Sequence, residues 1–377
     1  MKKIWLGVIV LLVIAAVFIV IQTKKEPREI KIGAILPLTG GAGKYGEDAK
    51  AGIELAVQEI NNLGGIKGKL IKVLYEDDQT NPQQTVSGFR KLIAVDKVSI
   101  VIGGMTSSSA LAVAPIAEQN KIILFSPSAS TAKLSNQGDY IFRNELSDSF
   151  GAYAQAELTW NKLKIKKVAI IYINNDYGIG VKDTFIKTFK DYGGEIIDVE
   201  SFEADSTEFK TQLSLIKQKD PEALFIIAYK EASIILKQIK ELGIKSKLLS
   251  TPLFEDRDIL DKSGALAEGV IYTYYGGFNL HSIDENVISF VNKYKIKNNR
   301  EPGYYSPLAY DAMNIIILAI EKSGTTTSEA IKNELYKIRD FPGVTGKTTF
   351  DSNGDVNKPV ILKRIKNGEF VIYADNQ

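Results

Sequence analysis

Short apolar runs alternate along this chain with longer stretches whose apolar residues recur every three to four positions. The runs predict strands and the stretches amphipathic helices. Residues 30–36 are apolar and rich in isoleucine, and predict a strand. Residues 47–62 carry Ile53, Ala56, Val57 and Ile60 at helical spacing, and Gly64-Gly65 stops the pattern as a helix C-cap does. Further strands are predicted at 70–75, 98–103 and 122–125, with helices at 82–95 and 108–119 between them. Pro82 sits in the first turn of its helix, where a missing N–H costs nothing. Such strand–helix–strand units predict a parallel sheet with helices on both faces.

The pattern restarts near residue 148. Helices are predicted at 149–163, 177–192, 207–219 and 230–242, and strands at 167–173, 195–201, 223–228, 246–250 and 270–274. Three helices follow without strands between them, at 284–297, 306–323 and 328–338. The tail returns to strand at 347–350, 360–366 and 370–373, with turns at 351–355 and at Asn367-Gly368. The fold class is therefore α/β, with two doubly wound halves. Ligands of open parallel sheets sit beyond the carboxyl ends of the strands, so the loops there carry the candidate chemistry.

The N-terminus has a different pattern. Residues 4–21 contain no charged or strongly polar side chain, with Lys2 and Lys3 before them and Lys24, Lys25 and Arg28 after. That run exceeds the ~7–15 residues of a signal-peptide core and reaches the length of a spanning helix. It reads as an uncleaved membrane anchor, with a cleaved signal as the alternative, and 23–29 as a polar tether. Both flanks are basic, which leaves the orientation open; a body outside the cell membrane needs the N-terminus inside, which Lys2, Lys3 and the terminal amine permit.

Composition narrows the chemistry. With 377 residues the chain is long enough for two domains. Net charge is +2 and charges of both signs are interspersed, so nothing points to nucleic acid. There is no cysteine, which excludes disulfides, thiolate metal sites and a cysteine nucleophile. The single histidine, His281, stands in a polar stretch and reads as a surface residue, so a histidine triad or multi-histidine metal site has no residues to draw on. No enzyme, metal or cofactor is implied.

Gly41 to Gly46 matches G-x-G-x-x-G between a strand and a helix, the dinucleotide fingerprint. Four residues separate it from the strand end, Tyr45 is bulky within the turn, and no acid ends a second strand about twenty residues on. A nucleotide site is the weaker reading. Glu76-Asp77-Asp78 follows a strand and reads as a turn and cap rather than a metal or acid–base site.

Gly103-Gly104-Met105-Thr106-Ser107-Ser108-Ser109 runs from a strand end into a helix. Glycines let a ligand approach the backbone, and hydroxyls beside unpaired helix N–H groups suit a carboxylate or phosphate. Ser126-Pro127-Ser128-Ala129-Ser130 repeats the theme after the next strand. Serine hydroxyls accept as well as donate, so they serve an ammonium too. Tyr177 and Tyr229 follow strands of the second half. Each can lie flat on a ligand or pack a helix start.

In sequence order, the segment 32–40, Tyr45-Gly46, 59–68, 75–82, the 103–109 segment, 126–130, Asp176-Tyr177-Gly178 and Ala267-Glu268-Gly269 resemble the type I periplasmic solute-binding proteins of the leucine/isoleucine/valine-binding family. These are receptors of branched-chain amino acid ABC transporters. The resemblance covers about 29–375. It implies a periplasmic-binding-protein-like fold in which two lobes, joined by a three-stranded crossover hinge, close on a ligand. One lobe would hold 29–147 plus 276–344, the other 148–275 plus 345–377, after the anchor or signal segment 1–28. It further implies that Ser107 binds the ligand carboxylate, that Ser128 lends its carbonyl to the ammonium, and that Ser130 contributes hydroxyl and amide. Tyr45, Tyr177 and Tyr229 match cleft-lining aromatic positions, and Asp148 an acid at the lobe crossover. The partners implied are a small ligand, an amino acid or related carboxylate, and a membrane permease, with a monomeric body. One departure stands out. Branched-chain receptors carry a glutamate for the ammonium after the strand at 246–250, and strict alignment puts Pro252 there, with Glu255 available if the loop shifts. Relatives with altered loops bind amides, ureas and aromatic acids, so a sensing ectodomain for such a ligand is the alternative to a transport receptor.

Overall fold

The computed structural model describes residues 29–280 and 282–373; the apolar segment 4–21 and His281 lie outside them. Among the described residues no helix is long and apolar enough to cross a membrane. Five strands form the first sheet: β1 (Ile30–Leu36), β2 (Ile71–Asp77), β3 (Ile100–Gly103), β4 (Ile123–Ser126) and β5 (Ile141–Arg143). Their spatial order is β2-β1-β3-β4-β5 and every neighbour is parallel. The intervening helices are α1 (Gly43–Asn62), α2 (Pro82–Ala94) and α3 (Ser107–Asn120).

The unbroken apolar run of β1 reflects burial on both faces. Ile32, Ala34 and Leu36 point into one core, and Ile35 points into another with Phe89, Leu92, Val113 and Leu124. The first of these cores is closed by helices that return from the far end of the chain. Of these, α9 (Glu285–Asn298) packs Val287, Phe290 and Tyr294 with Ala51 and Leu55 of α1 in a smaller cluster, while α10 (Tyr305–Ser323), running along α1, and α11 (Ser328–Leu335) enter the core itself through Ala309, Met313, Ile316, Ile331 and Leu335.

The second half begins with α4 (Asp148–Glu157) and alternates through β6 (Lys167–Ile173), α5 (Asp176–Asp191), β7 (Glu195–Phe202), α6 (Lys210–Lys219), β8 (Ala223–Ile227), α7 (Ala232–Leu242), β9 (Lys247–Ser250), α8 (Arg257–Ser263) and β10 (Ile271–Tyr275). After a short hairpin of β11 (Phe341–Gly343) and β12 (Gly346–Thr348), the chain rejoins this sheet with β13 (Val360–Lys366) and β14 (Glu369–Ile372). The order is β14-β13-β10-β9-β8-β6-β7, parallel up to β10 and antiparallel where β13 and β14 cover its edge. The expected α/β architecture with two doubly wound halves holds.

Several details differ from expectation. The predicted helix 149–163 is α4 followed by a π-helical turn over Leu158–Lys162, where the Thr159 hydroxyl bonds the Gln155 carbonyl at 2.6 Å. A hydroxyl bonding back along the helix competes with its regular ladder. The strand β5 and the helix α8 carry no periodicity long enough to read. The division expected after residue 344 falls later, because Phe350 and Val356 pair across a bridge and pack in the first core.

The chain crosses between the halves three times, after β5, after β10 and before β13, and the crossings bond one another. Gly276 N–H donates to the Pro359 carbonyl at 3.0 Å, and Gly277 N–H to Thr345 at 3.1 Å. The buried Lys358 ammonium donates to Asn144 at 2.9 Å and to the Thr345 hydroxyl at 2.7 Å. Burial lowers the Lys358 ammonium to about 8 and raises the nearby Glu145 carboxyl to about 7.

Candidate functional site

A small cavity of about 30 Å³ lies between the two halves, at the carboxyl ends of both sheets. That is about the space of one water, so the halves are closed on one another here and must part before any ligand enters. A larger groove of about 360 Å³ lies on the outside of the first half, between α9, α10 and β11. It is open to solvent and touches none of the residues singled out in the sequence.

The floor comes from the first half. Helix α1 begins four residues earlier than its periodicity predicts, which places Tyr45 in its first turn and against the cavity. Gly46 explains much of the glycine motif. A Cβ there would collide with the Pro37 carbonyl, so the glycine is required by packing of α1 against the loop, not by a phosphate. Asp77 holds that loop, accepting from the N–H groups of Leu38 and Gln79, both at 2.9 Å, and from the Thr39 hydroxyl at 2.6 Å. Asp78 caps the following turn, accepting from Thr80 N–H at 2.9 Å. The acidic cluster is thus a turn device.

The three serines at α3 diverge. The helix cap is Thr106, which accepts from Ser109 N–H at 3.2 Å. Ser109 itself accepts from Thr85 at 3.0 Å inside the first half. Ser108 donates to Asp176 of the opposite half at 2.8 Å. Ser107 lines the cavity from the first helical position, where backbone N–H groups have no helical partner. A Cβ on Gly103 would strike the Ile35 carbonyl, so only glycine lets β3 and its loop seat α3 this closely. In the neighbouring loop the Ser128 hydroxyl is committed to the Met105 carbonyl at 3.0 Å, while Ser130 lines the cavity and its carbonyl accepts from Asp148 N–H at 2.7 Å.

The roof comes from the second half. Asn175 caps α5, accepting from Gly178 N–H at 2.9 Å, and so fixes Tyr177 in the first turn. Tyr229 follows β8 and stacks on Tyr177 with centroids 5.5 Å apart. Tyr45 lies 6.2 Å from Tyr229 and 4.9 Å from Tyr305. Six of the sequence candidates therefore meet in one wall: Tyr45, Ser107, Ser128, Ser130, Tyr177 and Tyr229.

Two do not. Glu255 is turned away, accepting from the Tyr272 hydroxyl at 2.7 Å and paired with Lys363 of β13. A buried carboxylate needs such a counter-ion, so the loop does not shift to bring it in, and Leu253 lines the cavity instead. Asp148 lies behind the wall, fully buried. Burial raises its carboxyl to about 7 against opposing pulls from Ser130 and Arg143. Sequence reading missed Leu253 and Tyr305. Tyr305 is set by Asp48 of α1, whose carboxylate accepts from Tyr305 N–H at 3.1 Å, Ser306 N–H at 2.9 Å and Arg300 at 2.9 Å. That clasp spans more than 250 positions in sequence and leaves no local signature.

The two halves also meet around the mouth of the cavity. Lys44 of α1 pairs with Asp258 and lies 3.8 Å from Asp256 at the start of α8. Lys133 lies 3.3 Å from Asp176.

Comparison with known proteins agrees with this geometry. A family model described as periplasmic binding protein matches residues 29–369. LivJ, a branched-chain amino acid transporter substrate-binding protein from Streptococcus pneumoniae solved with isoleucine, is similar at 32% identity with a TM-score of 0.84, covering 91% of this chain and 98% of that one. The leucine-binding protein LivK from Thermotoga maritima is similar at 29% identity with a TM-score of 0.84, covering 92% and 98%. The leucine-, isoleucine-, valine-, threonine- and alanine-binding protein of Pseudomonas aeruginosa is 27% identical over 346 residues, 91% of this chain and 89% of that protein. The chain belongs to the periplasmic binding protein family.

Proposed function

We propose that this chain is the extracytoplasmic solute receptor of an ABC transporter and takes an aliphatic amino acid in the cavity between its halves. The observation that carries this reading is the meeting of Ser107, at the open end of α3, with a wall of tyrosines from both halves. The ligand carboxylate sits against the Ser107 hydroxyl and the first-turn N–H groups, where the helix end favours an anion. The aliphatic part lies on Tyr45, Tyr177, Tyr229, Tyr305 and Leu253, whose apolar area supplies the affinity. The similarity to LivJ and LivK supports a branched-chain ligand.

Ligand binds first to the loops of one half, and hinge closure over the three crossings brings Tyr177 and Tyr229 down on it. A membrane permease recognises the closed form, and the segment 4–21 tethers the receptor beside it. Thermal melts of the purified full chain against the standard amino acids and small carboxylates test the reading. Leucine, isoleucine or valine raises the melting temperature by mass action. Ser107→Ala removes a charge-assisted bond of about 1.5–3 kcal/mol and weakens the ligand roughly ten- to a hundredfold. A flat response to every amino acid would overturn the proposal.

A further inference from the structure

In the first half every neighbouring strand pair is parallel, so all five strands begin at one pole and end towards the cavity. The second half repeats this up to β10, so its strand starts lie at the opposite end of the molecule. The chain enters the body at the first pole, where Glu29 precedes β1. Seven residues, 22–28, separate Glu29 from the apolar run 4–21. A fully extended chain of that length spans at most about 25 Å. A membrane that takes up the run therefore lies within about 25 Å of this pole, and the opposite pole stands farther off.

The surface of the pole suits that position. Strand β1 starts between β2 and β3, flanked by the loops that lead into them. The loop before β2 carries Leu63, 83% exposed, with Lys67 and Lys69; the loop before β3 carries Val95, 70% exposed, with Lys97. Leu63 caps α1 and Val95 caps α2, which cover opposite faces of the sheet, so the two apolar side chains stand on either side of the chain's entry. Exposed Lys31 and Lys72 continue the group along β1 and β2. Within 29–31, 63–72 and 95–99 only Glu29 and Asp96 oppose these lysines, and Glu29 is paired with Lys72 at 3.3 Å. Among the described residues, Lys31, Lys67, Lys69 and Lys97 enter no ion pair. A single exposed aliphatic side chain would need no explanation. Two of them set among unpaired lysines, beside a tether, match an anionic lipid surface: headgroup phosphates attract the ammonium groups and the aliphatic tips enter the boundary below.

Resting on the tethered-receptor reading, we propose that the strand-start pole of the first half lies on anionic lipid headgroups, with Lys67, Lys69 and Lys97 on the phosphates and Leu63 and Val95 at the edge of the acyl layer. The lipid then holds the first half still. The second half stands farthest from the surface and swings in water as the cavity opens and closes.

The chain has no cysteine, so one introduced thiol carries a single label. The full chain is reconstituted through its N-terminal segment into nanodiscs of phosphatidylcholine, alone or mixed with phosphatidylglycerol. A nitrobenzoxadiazole dye sits on Leu63→Cys or, at the opposite pole, on Lys245→Cys. At low salt the Leu63 label should brighten at least about twofold and shift to the blue in the anionic discs, and high salt should reverse this, because exposed charges are screened. The Lys245 label should not respond. In the Leu63→Cys background, Lys67→Glu, Lys69→Glu and Lys97→Glu together should cut the gain at least about fivefold. Leucine affinity should stay within about twofold, since none of the three lines the cavity. No response at Leu63, equal responses at both poles, or a response that neither salt nor the triple substitution reduces overturns the proposal and leaves the tether intact. A response that appears only when two chains share a disc assigns the face to a second copy and overturns it as well. A full chain that does not stay with the discs through gel filtration removes the tether, and the proposal falls with it.

Discussion

Ser107 stands one position after the Thr106 cap, so its hydroxyl and the first free N–H groups of α3 face the cavity together. That placement was legible in the sequence, because glycine and serine after an apolar run have few other uses at a strand end. Asp148 shows the opposite case. Its identity is visible, but the fact that it is buried without a partner depends on residues from both halves, which spacing cannot give. Its titration yields a prediction. Burial holds the folded-state carboxyl at about 7, above its ordinary 3.8, with Ser130, Arg143, Glu145, Tyr177 and Tyr275 as the groups that face it. The folded protein therefore holds a proton that the unfolded chain releases. The stability this confers is full below the unfolded value and is lost as pH rises through about 7. Melts of the ligand-free full chain should show the wild type losing stability relative to Asp148→Asn between pH 5 and pH 8. Parallel curves would contradict the burial of an unpaired carboxylate.

Among the elements, those with long periodic patterns were read well from sequence. β6 and β13 fall where their apolar runs predict, and α10 and α9 within a residue or so. The elements missed are short or set by distant contacts. β5 has three residues and exists because β4 offers it an edge. The early start of α1 depends on Gly46 packing on Pro37, and it decides that Tyr45 reaches the cavity and that Lys44 stands at its mouth. Lys44 then bridges α1 to the start of α8 across the mouth. Both partners are largely exposed, and such pairs are worth about 0–1 kcal/mol. Lys44→Ala should weaken leucine and isoleucine alike by less than about tenfold, and the effect should vanish at high salt because exposed pairs are screened. A change in the ratio of the two affinities would place Lys44 in the pocket chemistry instead of in closure.

At the scale of the whole molecule, two halves are joined by three crossings whose polar groups are buried and mutually bonded. Lys358 holds Asn144 and Thr345 and faces Glu145 and Asp311, so it ties the first and third crossings together. Lys358→Ala would leave those acids uncompensated, at a cost of about 3–5 kcal/mol. Urea unfolding followed through Trp160 fluorescence should show that loss, and a variant within ~0.5 kcal/mol of wild type would contradict the role. Two α/β halves were legible from the restart of the pattern near residue 148. Where the third crossing runs was not, because Phe350 and Val356 pack in the first core without periodicity of their own.

The central claim is that a small amino acid sits between the halves with its carboxylate on Ser107. A crystal structure grown with leucine tests it most directly. The account predicts leucine in the cavity between Ser107, Ser130, Tyr177 and Tyr229, with a carboxylate oxygen within hydrogen-bond distance of the Ser107 hydroxyl. An empty cavity at saturating leucine, or leucine lodged in the outer groove by Lys293 and Asn314, would contradict it.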